Sequence, residues 1–71
     1  MNKITYAIGR GELPDQSATF ADQISAQKAA QARVSDGGGY CFVYGKSGHD
    51  RNWIEVGLYL MTDSAVIWRT P

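Results

Sequence analysis

The stretch GYCFVYGKS, residues 39–47, contains a Gly-Lys-Ser triplet of the kind found in phosphate-binding loops. The Walker motif G-x-x-x-x-G-K-[ST] requires a helix after it and one residue fewer than the five that separate Gly39 from Gly45. The residues on both sides of the triplet are typical of strands. We therefore predict that Gly45, Lys46 and Ser47 lie in the turn of a β-hairpin and bind no nucleotide.

The same turn contains Ser47, His49 and Asp50, which are the residue types of a hydrolytic triad. A triad holds its base between the nucleophile and the orienting carboxylate at hydrogen-bond distance. Side chains one and two positions apart in an exposed turn cannot readily adopt that arrangement. We predict no catalytic residue here, and we expect the protein not to be an enzyme.

The chain has one cysteine, Cys41, and one histidine, His49. A zinc site needs several such ligands at suitable spacing, and the carboxylates are scattered along the chain. The sequence therefore predicts no metal site and no cofactor. Because Phe42 and Val43 follow it, Cys41 is expected to be a small buried side chain rather than a reactive thiol.

Cysteine usage and hydropathy also indicate a compartment. A small domain without a disulfide framework suits the reducing cytosol. The first residues contain no apolar run long enough for a signal peptide, and no segment approaches the roughly 20 apolar residues of a membrane span. We expect a cytoplasmic protein without a membrane partner.

The size and charge of the chain favour a binding module. Seventy-one residues make one domain, 1–71, which leaves little room for both a core and an enclosed pocket. Seven basic residues balance seven acidic ones. The net charge therefore provides no general attraction to nucleic acid or to anionic membranes.

The first third of the chain is predicted to form two strands and the start of a helix. Ile4, Tyr6 and Ile8 alternate with more polar residues, which is typical of a half-buried strand. Residues 18–22 alternate again and predict a second strand that returns as a hairpin. We expect the helix to begin at Ser25 as N-cap, with a start near Thr19 as the alternative.

The helix is predicted to present small residues to a sheet. Ile24 and Ala29 are placed to form a hydrophobic staple around its first turn. The glycine run after Asp36 is expected to end the helix. The predicted sheet-facing side consists of Ala26, Ala29, Ala30, Arg33 and Val34.

Three strands are predicted to follow the helix, at residues 40–44, 53–61 and 65–69. Short links between them favour an antiparallel meander. The predicted fold class is α+β, a small antiparallel sheet of order ββαβββ with one helix packed on one face.

The alternation in residues 53–61 predicts which face the helix covers. One side carries Ile54, Val56, Leu58 and Leu60, and we expect the helix to pack there. The other side, with Trp53, Tyr59 and Met61, would stay open, joined by either the Tyr40/Phe42/Tyr44 set or Trp68. An open apolar face on a small protein usually marks an interface. Two alternatives remain: a curled sheet that buries both faces, and a homodimer through the open face.

The predicted binding surface therefore combines aromatic side chains with charged ones at the rim. We expect Trp53→Ala and Tyr59→Ala to weaken partner binding more than they lower the melting temperature. The predicted contact residues are Trp53, Tyr59, Tyr40, Tyr44, Lys46, His49, Asp50, Arg51, Lys28 and Arg33.

The alternative function is a module for single-stranded nucleic acid. The aromatic side chains would stack on bases, and Lys46, Arg51 and Arg69 would follow the phosphates. Such binding has a strong electrostatic component, which a neutral chain lacks.

The layout of residues 17–30, a glycine turn, and then Phe42-Val-Tyr44 and Trp53-Ile-Glu55 resembles small phage-encoded proteins, among them some anti-CRISPR inhibitors. The resemblance covers most of the chain but includes no specific motif. It implies a non-enzymatic inhibitor that docks on a bacterial defence complex in the host cytoplasm. Family members often place basic residues in nucleic-acid channels, and Lys28, Arg33, Lys46 and Arg51 would be the counterparts here.

Overall fold

The computed structural model describes residues 3–10, 14, 19–37, 39–48 and 51–70. Within these residues, one helix packs on a four-stranded antiparallel sheet whose strands lie side by side in chain order. The predicted α+β class and antiparallel sheet are confirmed, with the element order βαβββ. The elements are β1 (Ile4–Gly9), α1 (Gln23–Gly37), β2 (Tyr40–Ser47), β3 (Ile54–Met61) and β4 (Val66–Arg69).

Of the second strand predicted before the helix, the described residues form a single pairing. Phe20 forms an isolated antiparallel bridge with Tyr6 of β1, with N···O distances of 3.0 and 2.8 Å. The chain then bends at Ala21 and Asp22 and enters the helix. Ala18, part of the predicted strand, lies outside the described residues. Towards the helix no further pairing follows Phe20, because the chain bends there and Asp22 caps the helix.

Helix α1 begins at Gln23, between the two predicted starts. The side-chain Oδ1 of Asp22 accepts a hydrogen bond of 2.7 Å from the Ser25 backbone N–H, which identifies Asp22 as the N-cap. This hydrogen bond also lowers the pKa of the Asp22 carboxyl below its usual value. The prediction of Ser25 as N-cap is wrong. The predicted staple is wrong too, because Ile24 lies within the helix with 64% of its surface exposed.

Small side chains bring α1 close to the sheet. Ala26, Ala30 and Val34 follow each other at four-residue intervals and are fully buried. They pack with Ile8, Cys41 and Val43 to form the core. The predicted helix face is confirmed for the alanines and Val34, whereas Arg33 is exposed. The helix ends at Gly37 as predicted, and Gly39 then turns the chain with a φ of 83°.

The β-hairpin predicted around the Gly-Lys-Ser triplet exists, but the triplet is not its turn. Gly45, Lys46 and Ser47 belong to β2, which pairs with β1 on one side and β3 on the other. Gly45 is buried in the sheet, where a Cβ atom would lie 3.2 Å from Val56 Cγ2. A strand rather than a helix follows, as the prediction against a phosphate-binding loop required.

A β-bulge in β3 reverses the facing predicted for the residues that follow it. The register pairs Val43 with Gly57 but Tyr44 with Glu55, so β3 contains one extra residue, Val56. Ile54 and Val56 therefore lie on the helix side, while residues beyond the bulge change face. The prediction that Leu58 and Leu60 face the helix is wrong.

Tyr59 takes the place on the helix side that was predicted for the leucines. Tyr59 pairs with Cys41 on β2 and with Trp68 on β4. The rings of Tyr59 and Trp68 both pack against the core. The Tyr59 and Trp68 ring centroids lie 5.0 Å apart. Gly57, directly below the Trp68 ring, leaves the space that this ring occupies. Trp68 thus covers Gly57 and extends the core on the helix side towards β4.

Candidate functional site

The face of the sheet opposite the helix carries two rows of large side chains across the strands. One row runs from Tyr40 through Leu60 to Ile67, and the other joins Phe42 to Leu58. Tyr40 is 44% exposed and Ile67 is 39% exposed, while the others are half-buried. We call these five side chains the open face. No described helix or strand covers them.

The aromatic rings of β2 form a line along this surface. The Tyr40 and Phe42 centroids are 5.5 Å apart in an edge-to-face arrangement, and Phe42 is 5.9 Å from Tyr44. Such ring contacts favour these relative orientations of the side chains. A partner would therefore meet a preformed surface on β2.

Near β1 the side chains of Tyr44 and Ala7 on this face of the sheet are almost inaccessible to solvent. Tyr44 is only 6% exposed, and Ala7, its cross-strand partner, is fully buried. Burial raises the pKa of the Tyr44 hydroxyl, and the carboxylate of Glu55 on the next strand raises it further. Tyr44 is thus a support for Phe42 rather than a contact residue, which limits the accessible part of this surface to β2, β3 and β4.

Charged side chains border the open face at two places. Arg69 lies across from Leu58 at the outer strand and is exposed. Lys46 lies near the other end, where its Nζ sits 5.0 Å from the centre of the Trp53 ring. This cation–π contact holds both side chains half-buried beside the β2–β3 connection. The border is therefore polar while the centre is apolar.

The predicted contact residues do not form one surface. Tyr40, Lys46 and Trp53 lie on or beside the open face, and Arg51 is exposed in the connection that leads to Trp53. The placement of Tyr59 on the open side is wrong, because its ring packs against the core.

The remaining predicted contacts lie elsewhere. Lys28 and Arg33 are exposed on α1, on the other side of the sheet from the open face. His49 and Asp50 lie outside the described residues. Basic side chains of the helix and the open face therefore cannot contact one flat partner surface together.

Sequence reasoning missed Leu58, Leu60 and Ile67 as parts of the exposed surface. For the two leucines, the error came from assuming strict alternation through Val56. A signal was present in Gly57, since a glycine inside a strand often marks a bulge or a close approach of another group. Here it marks both.

A second apolar surface lies on the helix side, beyond the start of α1. Ile4 on β1 and Ile54 on β3, which flank β2 on its two sides, are 49% and 66% exposed. With Tyr6 and Val56 below them they line a groove of about 340 Å³ beside Gln23. The sequence did not predict this groove, because Ile54 was placed under the helix.

The titratable side chains of the described residues do not converge on a metal site. No three His, Cys, Asp or Glu side chains among them approach closely enough to hold a metal ion. The prediction for Cys41 is confirmed: it is a free, fully buried thiol. Burial raises its pKa, an effect that the nearby positive charge of Arg33 partly offsets. In the part of the chain that the structure describes, α1 is neither long nor apolar enough to cross a membrane.

Comparison with known proteins adds no relative: no protein family, curated protein or solved structure matches the chain. The resemblance in layout to small phage-encoded inhibitors stays a prediction.

Proposed function

We propose that this protein is a small non-enzymatic binding protein that docks through its open face on another protein and obstructs that protein's surface. The observation that carries the proposal is the two cross-strand rows of Tyr40, Leu60 and Ile67 and of Phe42 and Leu58. Large side chains in adjacent positions, held in place by the sheet and bordered by charges, are typical of a protein interface core and its rim.

The chemistry of this surface favours a protein over a nucleic acid. Leucine and isoleucine side chains bury apolar area against a partner but provide no flat ring for base stacking. The Tyr40 and Phe42 rings meet at 72°, so they do not form a parallel platform for two bases. The net charge of zero supplies no general attraction to phosphates.

We further propose a bacterial defence complex as the class of partner, with the host cytoplasm as the place of action. This part rests on the layout of residues 17–30 and of the β2–β3 hairpin, which resembles phage-encoded inhibitors. The open face would occlude a surface of that complex. Lys46 and Arg51, near the hairpin end of this face, would make the polar contacts at its rim.

Affinity capture from a bacterial lysate tests the proposal. The bait is the wild-type chain, compared with a Tyr40→Ala/Phe42→Ala variant and with a matched Lys28→Ala/Arg33→Ala variant on the helix. We expect a specific protein that the wild type and the helix variant retain and that the open-face variant loses. Each variant is first checked for wild-type circular dichroism.

Two outcomes would contradict it. Loss of the captured protein with the helix variant, and not with the open-face variant, would place the interface on α1. Recovery of single-stranded nucleic acid in place of a protein, with retention that falls steeply as salt rises, would favour the nucleic-acid module.

A further inference from the structure

The outer edge of β4 has backbone groups that point away from the sheet. In an antiparallel pair, hydrogen-bonded and non-hydrogen-bonded residue pairs alternate. The Thr62 N–H donates to the Ala65 carbonyl at 2.8 Å, which sets the alternation in the β3–β4 hairpin. Ile67 and Arg69 therefore bond to β3, while the N–H and C=O groups of Val66 and Trp68 point outwards.

The opposite edge of the sheet supports this assignment. The Gly48 N–H donates to the Lys3 carbonyl at 2.9 Å, so the same alternation directs the backbone groups of Tyr6 away from β2. The Tyr6 N–H and C=O groups are both hydrogen-bonded to the backbone of Phe20. The β1 edge is thus partly occupied, whereas no described residue pairs with the edge of β4.

We propose that a second copy of this chain pairs with β4 in antiparallel fashion about a two-fold axis at Ile67. In this register Val66 of each chain lies opposite Trp68 of the other. Each such pair exchanges two hydrogen bonds, so all the outward groups of both residues are used. An axis at Val66 or at Trp68 would pair only one of these two residues within the strand.

The side chains fit this register. Ile67 would face Ile67 of the other copy on the open face, which covers a side chain that is 39% exposed in the single chain. Arg69 would lie opposite Ala65, so no like charges face each other. Val66 to Arg69 contains no proline and no inward-pointing charge, two of the devices that protect an edge strand.

The dimer would join two four-stranded sheets into one continuous sheet and two open faces into one larger surface. Because β4 has only four residues, the contact is small. Self-association should therefore depend on protein concentration rather than persist on dilution. The inference concerns the assembly of the chain alone and needs no partner protein.

Sedimentation equilibrium of the wild-type chain over a range of concentrations tests the association. We expect the mean mass to rise from that of one chain towards that of two. Ile67→Asp would place two like charges across the axis, and it should remain monomeric with an unchanged circular dichroism spectrum. A wild-type mass of one chain at every concentration would overturn the proposal.

Cysteine substitution tests the register. A non-hydrogen-bonded antiparallel pair has Cα atoms about 4.5 Å apart, a separation that a disulfide can span. Ile67→Cys should therefore form a disulfide-linked dimer after treatment with oxidised glutathione. Arg69→Cys, which would face Ala65 instead, should not. Cys41 is fully buried and should not interfere. Equal cross-linking of the two variants, or of Arg69→Cys alone, would overturn the register.

Discussion

Replacing Gly57 by alanine would test the facing of β3 at its most tightly packed point. A Cβ atom there would lie 2.6 Å from Trp68 Cη2 and 2.8 Å from the Arg69 carbonyl oxygen, and still closer to Trp68 Cζ2. Contacts this short do not persist in a folded protein. The Trp68 ring would have to leave its place beside Tyr59, and the backbone of β4 would have to move.

The size of the loss in stability follows from two opposing effects. Overpacking a well-packed site costs about 1–3 kcal/mol. Alanine also restricts the unfolded chain and favours a strand over glycine, which returns about 0.5–1 kcal/mol. Overpacking outweighs this gain, so the expected net loss in the free energy of unfolding is about 1–2 kcal/mol. In a domain of this size, each kcal/mol lowers the melting temperature by about 4–8 °C.

Thermal unfolding followed by circular dichroism and by tryptophan fluorescence measures this change. We expect Gly57→Ala to lower the melting temperature by about 5–15 °C and to shift the fluorescence of the native state, as the Trp68 ring becomes more exposed. Gly45→Ala is the matched control. Its Cβ atom would meet only side-chain atoms, at 3.2 Å or more, so it should cost less. A Gly57→Ala protein as stable as the wild type would refute the packing of the Trp68 ring over Gly57 on the helix side of the sheet.

The two remaining stability predictions concern the sheet faces and the helix cap. Tyr59→Ala should destabilise the fold by about 2–3 kcal/mol, because the ring packs on the core, whereas Tyr40→Ala on the open face should cost about 1 kcal/mol or less; equal losses in urea unfolding would contradict the assigned facing. The Asp22 carboxyl has a lowered pKa in the folded state, so its ionised form adds to the free energy of unfolding. This contribution is fully present above the usual carboxyl pKa of 3.8 and is lost as the pH falls through the folded-state pKa. The melting-temperature difference between wild type and Asp22→Asn should therefore shrink on acidification, and a difference that stays constant over that range would show that the carboxylate is not the cap.

Much of the architecture could be predicted from local signals. Alternation in β1, the glycines after α1 and the dense aromatic and β-branched residues of β2 each predicted an element that exists. The helix face of Ala26, Ala30 and Val34 could also be predicted, because a four-residue spacing places side chains on one side of a helix. These features depend on neighbours in sequence, and local patterns describe them well.

The facing of β3 could not be predicted in the same way. The bulge at Val56 depends on how β3 aligns with β2 and on the space that Trp68 needs beside Gly57. Both are contacts between residues distant in sequence. One extra residue exchanges the two sides of a strand, so a correct strand led to a wrong surface. For this reason Tyr59, which was predicted on the open side, packs against the core, and Leu58 and Leu60, which were predicted under the helix, lie on the open face.

At the start of the helix, two nearby residues are both suitable as the N-cap. Asp22 and Ser25 are both favourable N-cap residues, and the sequence does not decide between them. In the structure the Asp22 carboxylate caps the helix by accepting a hydrogen bond from the Ser25 N–H. The Phe20–Tyr6 bridge fixes where the chain leaves the sheet. Tertiary pairing thus selected the cap.

Oxidative footprinting of the free chain and of its complex with the captured partner would test docking through the open face most directly. We predict that Tyr40 and Leu60 are oxidised in the free protein and protected in the complex, while Ile24 on the helix, 64% exposed, is oxidised equally in both. Protection of Ile24 with unchanged oxidation of Tyr40 and Leu60 would contradict this mode of binding.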